Sequence, residues 1–185
     1  MNKIIVCGDC GSKSLTRTII RTCSNYGGVV VVSENGVFET NENPSFLVAE
    51  LKNLCEKNPC ELDFENGIIV FGKAVSEKVC IKKTSKNVVV LDTANSNALN
   101  IVRGRGVAVI GCSMSGHDTI SVSGLAGFPT KMISLQRSVR TLDGDIIEPH
   151  DFRVKLSEEI PIYPLLAGCA VLLLGGVSSA GGYSF

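Results

Sequence analysis

Residues 6–16 read VCGDCGSKSLT and bring two chemistries into one short stretch. The first is phosphate binding. A strand that runs through a glycine-rich bend into a helix aims several backbone N–H groups at one point, where the helix dipole also favours an anion. The full pattern is G-x-x-x-x-G-K-[ST]. Here Gly8, Gly11, Ser12, Lys13 and Ser14 supply a shortened version, with Ser12 where a glycine would precede the lysine. Asp9 inside the bend repels a phosphate unless a metal lies between them. Asp92 ends the apolar run VVVLD, a place where phosphate-binding α/β proteins keep an acidic metal partner. His117, in the loop SGHDT after another apolar run, falls at the carboxyl edge where α/β ligands bind. The candidate binding set is therefore Gly8, Asp9, Gly11, Ser12, Lys13, Ser14, Asp92 and His117. Its ligand would be ATP, another nucleotide or some other phosphate-bearing small molecule; the residues do not choose among them. The opposing reading is a plain strand-to-helix turn with Lys13 in solvent.

The second chemistry is thiol exchange. Cys7-Gly8-Asp9-Cys10 has Cys-x-x-Cys spacing, and a helix N-terminus lowers a thiol's pKa. Cys7, however, reads as the last residue of a buried strand, whereas a reactive thiol needs solvent. A zinc site from Cys7, Cys10, Cys55 and Cys60 is a poor knuckle, because the last pair has four residues between its members, one of them a proline. Ser113, Ser115 and His117 are too close in sequence to read as a triad. Arg103 and Arg105 flank Gly104 near a helix end, where cations are favoured for dipole reasons alone. His150 reads as a surface residue. No catalytic residue and no metal site is assigned.

The elements that position these groups follow from periodicity. Residues 3–7 form a short apolar run and read as a buried strand. Leu15, Ile19, Ile20 and Cys23 share one face of a helix over 12–25, stopped by glycines at 27 and 28. Residues 29–33 form the second strand, and ENG turns it back into VFET. Strand, helix and strand with short links imply a parallel crossover. Asn43 followed by Pro44 reads as a helix start, with Leu47, Leu51, Leu54 and Cys55 on the buried face. Residues 68–71, 88–91 and 107–112 are three more strands, with a short helix in NSNALNIVRG. Over 117–156 polar and apolar residues alternate, as in half-exposed antiparallel strands, with LDGD at 142–145 as the turn between the last two. Residues 160–177 carry no charge. Pro161 and Pro164 leave too short a run to span a bilayer, which needs about 20 apolar residues, so the segment reads as a helix closing one side of the sheet.

Bulk properties narrow the partners. The 185 residues carry a formal net charge of +0, with 18 Lys and Arg against 18 Asp and Glu, so a basic nucleic-acid footprint is absent. Aromatics are 5% and Trp is missing, which removes a base-stacking platform. The eight cysteines lie mainly among aliphatics and read as small buried hydrophobes of a reducing, cytoplasmic protein. No signal-peptide pattern precedes them.

In this order the elements resemble the central, ATP-binding domain of the Mur ligases, the amino-acid-adding enzymes of peptidoglycan synthesis. IIVCGDCGSKSLTRTIIRTCSNYGG is similar to that family's strand, phosphate loop and first helix, and VVVVSENGVF to the strand and turn that follow. VVVLDTANSNALNIVRGRGVAVIGCSMSGHDTISVSG is similar to its late strand, Asn/Asp-rich loop, short helix and next strand, and IPIYPLLAGCAVLLLGGVS to its closing helix. The departures are specific. Ser12 stands where the family has glycine, Gly72 and Lys73 stand where it keeps a magnesium-binding glutamate, and IPIYP replaces the start of its H-N helix. These 185 residues also offer no domain for the UDP substrate and none for the amino acid. The resemblance thus implies a degenerate, truncated relative, binding a nucleotide or phosphate ligand without ligase activity. The expected fold is one α/β domain over 1–185: a mainly parallel, five-stranded sheet with helices on both sides, an antiparallel extension over 117–156 and a closing helix over 160–177. The competing class is a non-catalytic structural or interaction protein with a vestigial loop, whose edge strands over 131–156 dock a second copy or another protein. A redox protein is the third.

Overall fold

The computed structural model describes residues 1–9, 14–33, 36–39, 43–51, 60–82, 86–124 and 127–185. Its first half is mostly strand, with one helix among the described residues. β1 (Asn2–Cys7) leads to α1 (Ser14–Ser24), then to β2 (Gly28–Ser33), which pairs antiparallel with β3 (Gly36–Glu39). β4 (Pro44–Leu51) follows. This replaces the expected helix after Asn43. Leu47 and Leu51 are four residues apart, a spacing that fits a helix face and also one side of a strand. Phe46 and Val48 on the other side are fully buried, so the two-residue period wins, and Pro44 sits at the first strand position, where its missing N–H is tolerated. Leu54 and Cys55 lie outside the described residues. β4 also separates β1 from β2, pairing parallel with both, so the first two strands are parallel without being neighbours.

β6 (Gly67–Phe71), β8 (Val88–Asp92) and β9 (Ala108–Ser113) then extend the sheet on the other side of β1, with α2 (Ser96–Val102) connecting the last two. β5 (Cys60–Leu62) and β7 (Val79–Ile81) form a separate parallel pair. β10 (Ile120–Val122) is still parallel to β9; the direction reverses only at β11 (Thr130–Leu135), which pairs antiparallel with β10 and with β14 (His150–Lys155). Residues 142–145 turn a small ribbon of β12 (Val139–Arg140) and β13 (Ile146–Ile147), set between β11 and β14, rather than joining the two long strands directly. Among the described residues the main sheet has eleven strands instead of five, because β3, β4, β10, β11, β14 and β15 (Tyr183–Ser184) all join it.

Alternation along the strands divides the core in two. Ile4, Val6, Ile68, Val70 and Val90 face α1 and α3 (Ile162–Leu174), whereas Cys7, Ile69, Phe71, Val89 and Leu91 face Ala98 and Ile101 of α2. Helices therefore cover both sides. α3 is apolar all round, and every residue from 164 to 174 is buried, as a helix enclosed between a sheet and α1 must be. Its 13 residues span about 20 Å, and no helix among the described residues is long and apolar enough to cross a membrane.

The C-terminal segment is pinned. β15 (Tyr183–Ser184) adds a parallel strand to β14, and the Phe185 ring packs on Gly168, where a Cβ would lie 2.8 Å from it. His150, expected at the surface, is half-buried against Phe152, and its Nε2 lies 2.6 Å from Ser179 Oγ, which fixes the tail. β11 is an interior strand, and β15 covers β14 only over Val154 and Lys155.

Candidate functional site

The parallel strands β1, β6 and β8 end on one side of the sheet, and the loops that leave them enclose a cavity of about 760 Å³. Gly8 and Asp9 line it from the bend after β1, and Ser14 and Leu15 from the first turn of α1. Lys73 belongs to the loop after β6, and Asp92 and residues 94–97 to the junction of β8 and α2. Pro161, Tyr163 and Pro164 close it from the start of α3. Four sequence candidates thus meet here: Gly8, Asp9, Ser14 and Asp92. Gly11, Ser12 and Lys13 lie outside the described residues.

The bend owes its shape to its neighbour. Gly72 N donates to Cys7 O at 2.7 Å and Ala74 N to Gly8 O at 3.0 Å, which stitches the β1 bend to the β6 loop. Gly8 has φ +79, and a Cβ there would lie 2.4 Å from Val75 N. The glycine is required by this close approach.

Asp9 is 7% exposed, and its Oδ2 accepts a hydrogen bond from Thr16 N at 2.7 Å. Thr16 is the third residue of α1, so the protein's own carboxylate satisfies an N–H at the helix start and lies favourably on the dipole. Asp92 Oδ1 accepts from Ala94 N at 2.9 Å. Asn95 caps α2, its side chain accepting from Ala98 N, while its Nδ2 donates to Gly72 O and Lys73 O, each at 3.3 Å. One side chain therefore couples the β8 and β6 loops. The Tyr163 hydroxyl donates to Phe71 O, with Val90 O at 3.4 Å, and so spans the ends of β6 and β8. Burial pushes its phenol well above the usual tyrosine range, with the Cys112, Asp92 and Asp9 charges adding to the effect, and the hydroxyl stays a donor.

His117 does not line the cavity. It is exposed on the loop after β9, where its N–H donates to Ser115 Oγ and its carbonyl accepts from Arg137 Nη2 at 2.9 Å. The neighbouring Asp118 accepts from the Ser113 and Thr93 hydroxyls and serves to hold that loop. Cys7 is 2% exposed and faces the α2 side of the core, which leaves it no access as a thiol nucleophile; Cys10 lies outside the described residues. Among the described residues Cys23, Cys60, Cys80, Cys112 and Cys169 form no disulfide. Among the described residues no group of three or more His, Cys, Asp or Glu is arranged for a metal. Asp9 and Asp92 are two carboxylates, and Asn95, Lys73 and Tyr163 are the cavity residues that sequence reasoning missed as site members. The asparagine's position before a short apolar helix was a usable cap signal. No such signal marked Tyr163, which reaches Phe71 across 92 positions of sequence.

No family model and no curated protein matches this sequence. Solved structures do. A structure of UDP-N-acetylmuramoyl-L-alanyl-D-glutamate–2,6-diaminopimelate ligase superimposes with a TM-score of 0.58 at 10% identity, covering 98% of this chain and 45% of that one. The MurF ligase from Thermotoga maritima in complex with ADP gives 0.56 at 15%, covering 96% and 46%. MurF from Acinetobacter baumannii gives 0.56 at 10%, covering 96% and 43%. The chain spans less than half the length of these ligases, and across nearly all of its own length it shares their α/β fold.

Proposed function

We propose that this protein binds a nucleotide or a related phosphate-bearing small molecule in the cavity at the ends of β1, β6 and β8, without ligase activity of its own. The observation that carries this reading is the convergence of the β1 bend, the first turn of α1 and the β8–α2 junction on one cavity of about 760 Å³. Such a carboxyl-edge crevice is where α/β sheets take ligands. That one structure of shared fold is a complex with ADP supports the choice of ligand class. Ser14 and the N-terminus of α1 would face the phosphates. Asp9 and Asp92 would repel them, and a divalent cation resolves the conflict: magnesium is commonly held by one or two carboxylates together with ligand phosphates. Two carboxylates lining one cavity fit a cation that arrives with the phosphate better than a dedicated metal cage. Binding is therefore magnesium-dependent.

Thermal unfolding with ADP, with and without magnesium, tests this. A site filled at about 100 times its Kd adds about 2.7 kcal/mol, which for a chain of this size raises Tm by roughly 5–11 °C. An unmoved Tm in both conditions sinks the proposal.

A second reading has its own support. The Asp9 carboxylate already occupies the Thr16 amide, and β3 is the last strand of the sheet among the described residues, with Val37 66% and Phe38 57% exposed. A protein-docking module with a vestigial loop would need no more than this. It would leave Tm unchanged with nucleotide and would be weakened by Phe38→Lys.

A further inference from the structure

Three charged side chains described at the cavity have unequal claims on a ligand. The Asp9 carboxylate accepts from Thr16 N and that of Asp92 from Ala94 N, so each already serves the fold. Lys73 does not. Its side chain is exposed, and among the described residues its ammonium has neither a hydrogen bond nor an ion pair. Its backbone, by contrast, is held on both sides. Asn95 Nδ2 donates to the carbonyls of Gly72 and Lys73, Gly72 N donates to Cys7 O, and Ala74 N donates to Gly8 O. Two adjoining loops thus hold the base of this side chain at the cavity wall, and its charged end has no ion pair among the described residues.

From this placement we propose that Lys73 is the residue that meets the anionic end of the ligand, and that it sets the preference for phosphorylated over neutral ligands. This rests on the nucleotide reading above. A lysine is a flexible point charge with three donors, suited to a phosphate whose position is fixed by other contacts. The carboxylates of Asp9 and Asp92 then face the hydroxyl donors of the ligand or its bound cation, and the cavity has one cationic and one anionic side.

The test is calorimetric titration of ADP and of adenosine, each with magnesium, into wild-type protein, Lys73→Gln and Lys73→Arg. Because the ammonium has no hydrogen bond or ion pair among the described residues, both variants should match wild type in Tm. Wild type should bind ADP more tightly than adenosine. Lys73→Gln should lose about tenfold or more for ADP, the worth of a hydrogen bond to a charged group, with adenosine unchanged. Lys73→Arg should retain most of the preference, and raising the salt should reduce it. If Lys73→Gln keeps the full preference for ADP, the assignment is overturned and the phosphate is held elsewhere. If wild type binds ADP and adenosine equally, phosphate selectivity is absent and Lys73 has no such role. If wild type binds neither, the nucleotide reading itself fails and the assignment falls with it.

Discussion

Replacing Asp9 separates its two roles, as a helix cap and as a charge in the cavity. Asp9 Oδ2 accepts the Thr16 amide at 2.7 Å in a buried setting. Asp9→Ala removes the cap, typically worth about 1 kcal/mol, and leaves a buried N–H without its acceptor, which costs about 1–3 kcal/mol. The two descriptions overlap, so the expected loss is about 1–3 kcal/mol, or a Tm lower by roughly 2–12 °C. Asp9→Asn keeps an acceptor oxygen and gives up only the charge on the dipole, so it should lose about 0.3–1 kcal/mol. The cavity responds in the opposite sense. A unit charge roughly 8 Å from a phosphate, at an effective dielectric of about 30, costs ~1.4 kcal/mol. Magnesium-free ADP should therefore bind Asp9→Asn about tenfold more tightly than wild type. Urea unfolding, amide exchange at Thr16 and titration with ADP read the three effects. An Asp9→Ala protein as stable as wild type, with the Thr16 amide equally protected, would refute the capping argument. An unchanged magnesium-free affinity in Asp9→Asn would refute the electrostatic one.

Gly8→Ala should cost about 2–4 kcal/mol in urea unfolding, because its φ of +79 and a Cβ 2.4 Å from Val75 N leave no room for a side chain; a loss below ~1 kcal/mol would show that the two loops can separate. Asn95→Ala should destabilise by about 1–2 kcal/mol, since it removes the α2 cap and both bonds to the β6 loop, and Asn95→Asp should restore only the cap. Burial raises the thiol of Cys23 from 9.0 to about 12, and those of Cys112 and Cys169 also rise. Because the folded-state values lie above the unfolded one, this contribution is complete below pH 9 and is lost as pH climbs toward 12. Each thiol should cost about 1.4 kcal/mol per pH unit across that window, seen as a falling urea midpoint, and native Cys7 and Cys23 should resist a thiol reagent at pH 8.

Much of the frame was legible because buried parallel strands announce themselves as unbroken apolar runs. GIIVF and VVVLD could hardly be anything else, and the residues at their ends, Asp92 among them, followed. Pro44–Leu51 failed because an eight-residue segment with leucines four apart satisfies both periods, and only the neighbouring strands β1 and β2 decide between them. The short strands near the C-terminus were harder still: two residues such as Tyr183 and Ser184 have no periodicity, and their pairing with β14 depends on the tail folding back. In the site, the residue types at the β1 bend were readable. Their use was not. That Asp9 caps Thr16 depends on how the bend curves, and that Lys73 and Tyr163 share its cavity depends on contacts far apart in sequence.

Backbone amide NMR during titration with ADP and magnesium tests the nucleotide reading most directly. Binding at this cavity requires shifts at Gly8, Ser14, Lys73, Ala94 and Asn95, with His117 and the β3 edge unmoved. A spectrum that stays constant to millimolar ADP, or shifts confined to the β3 edge or the loop after β9, would contradict it.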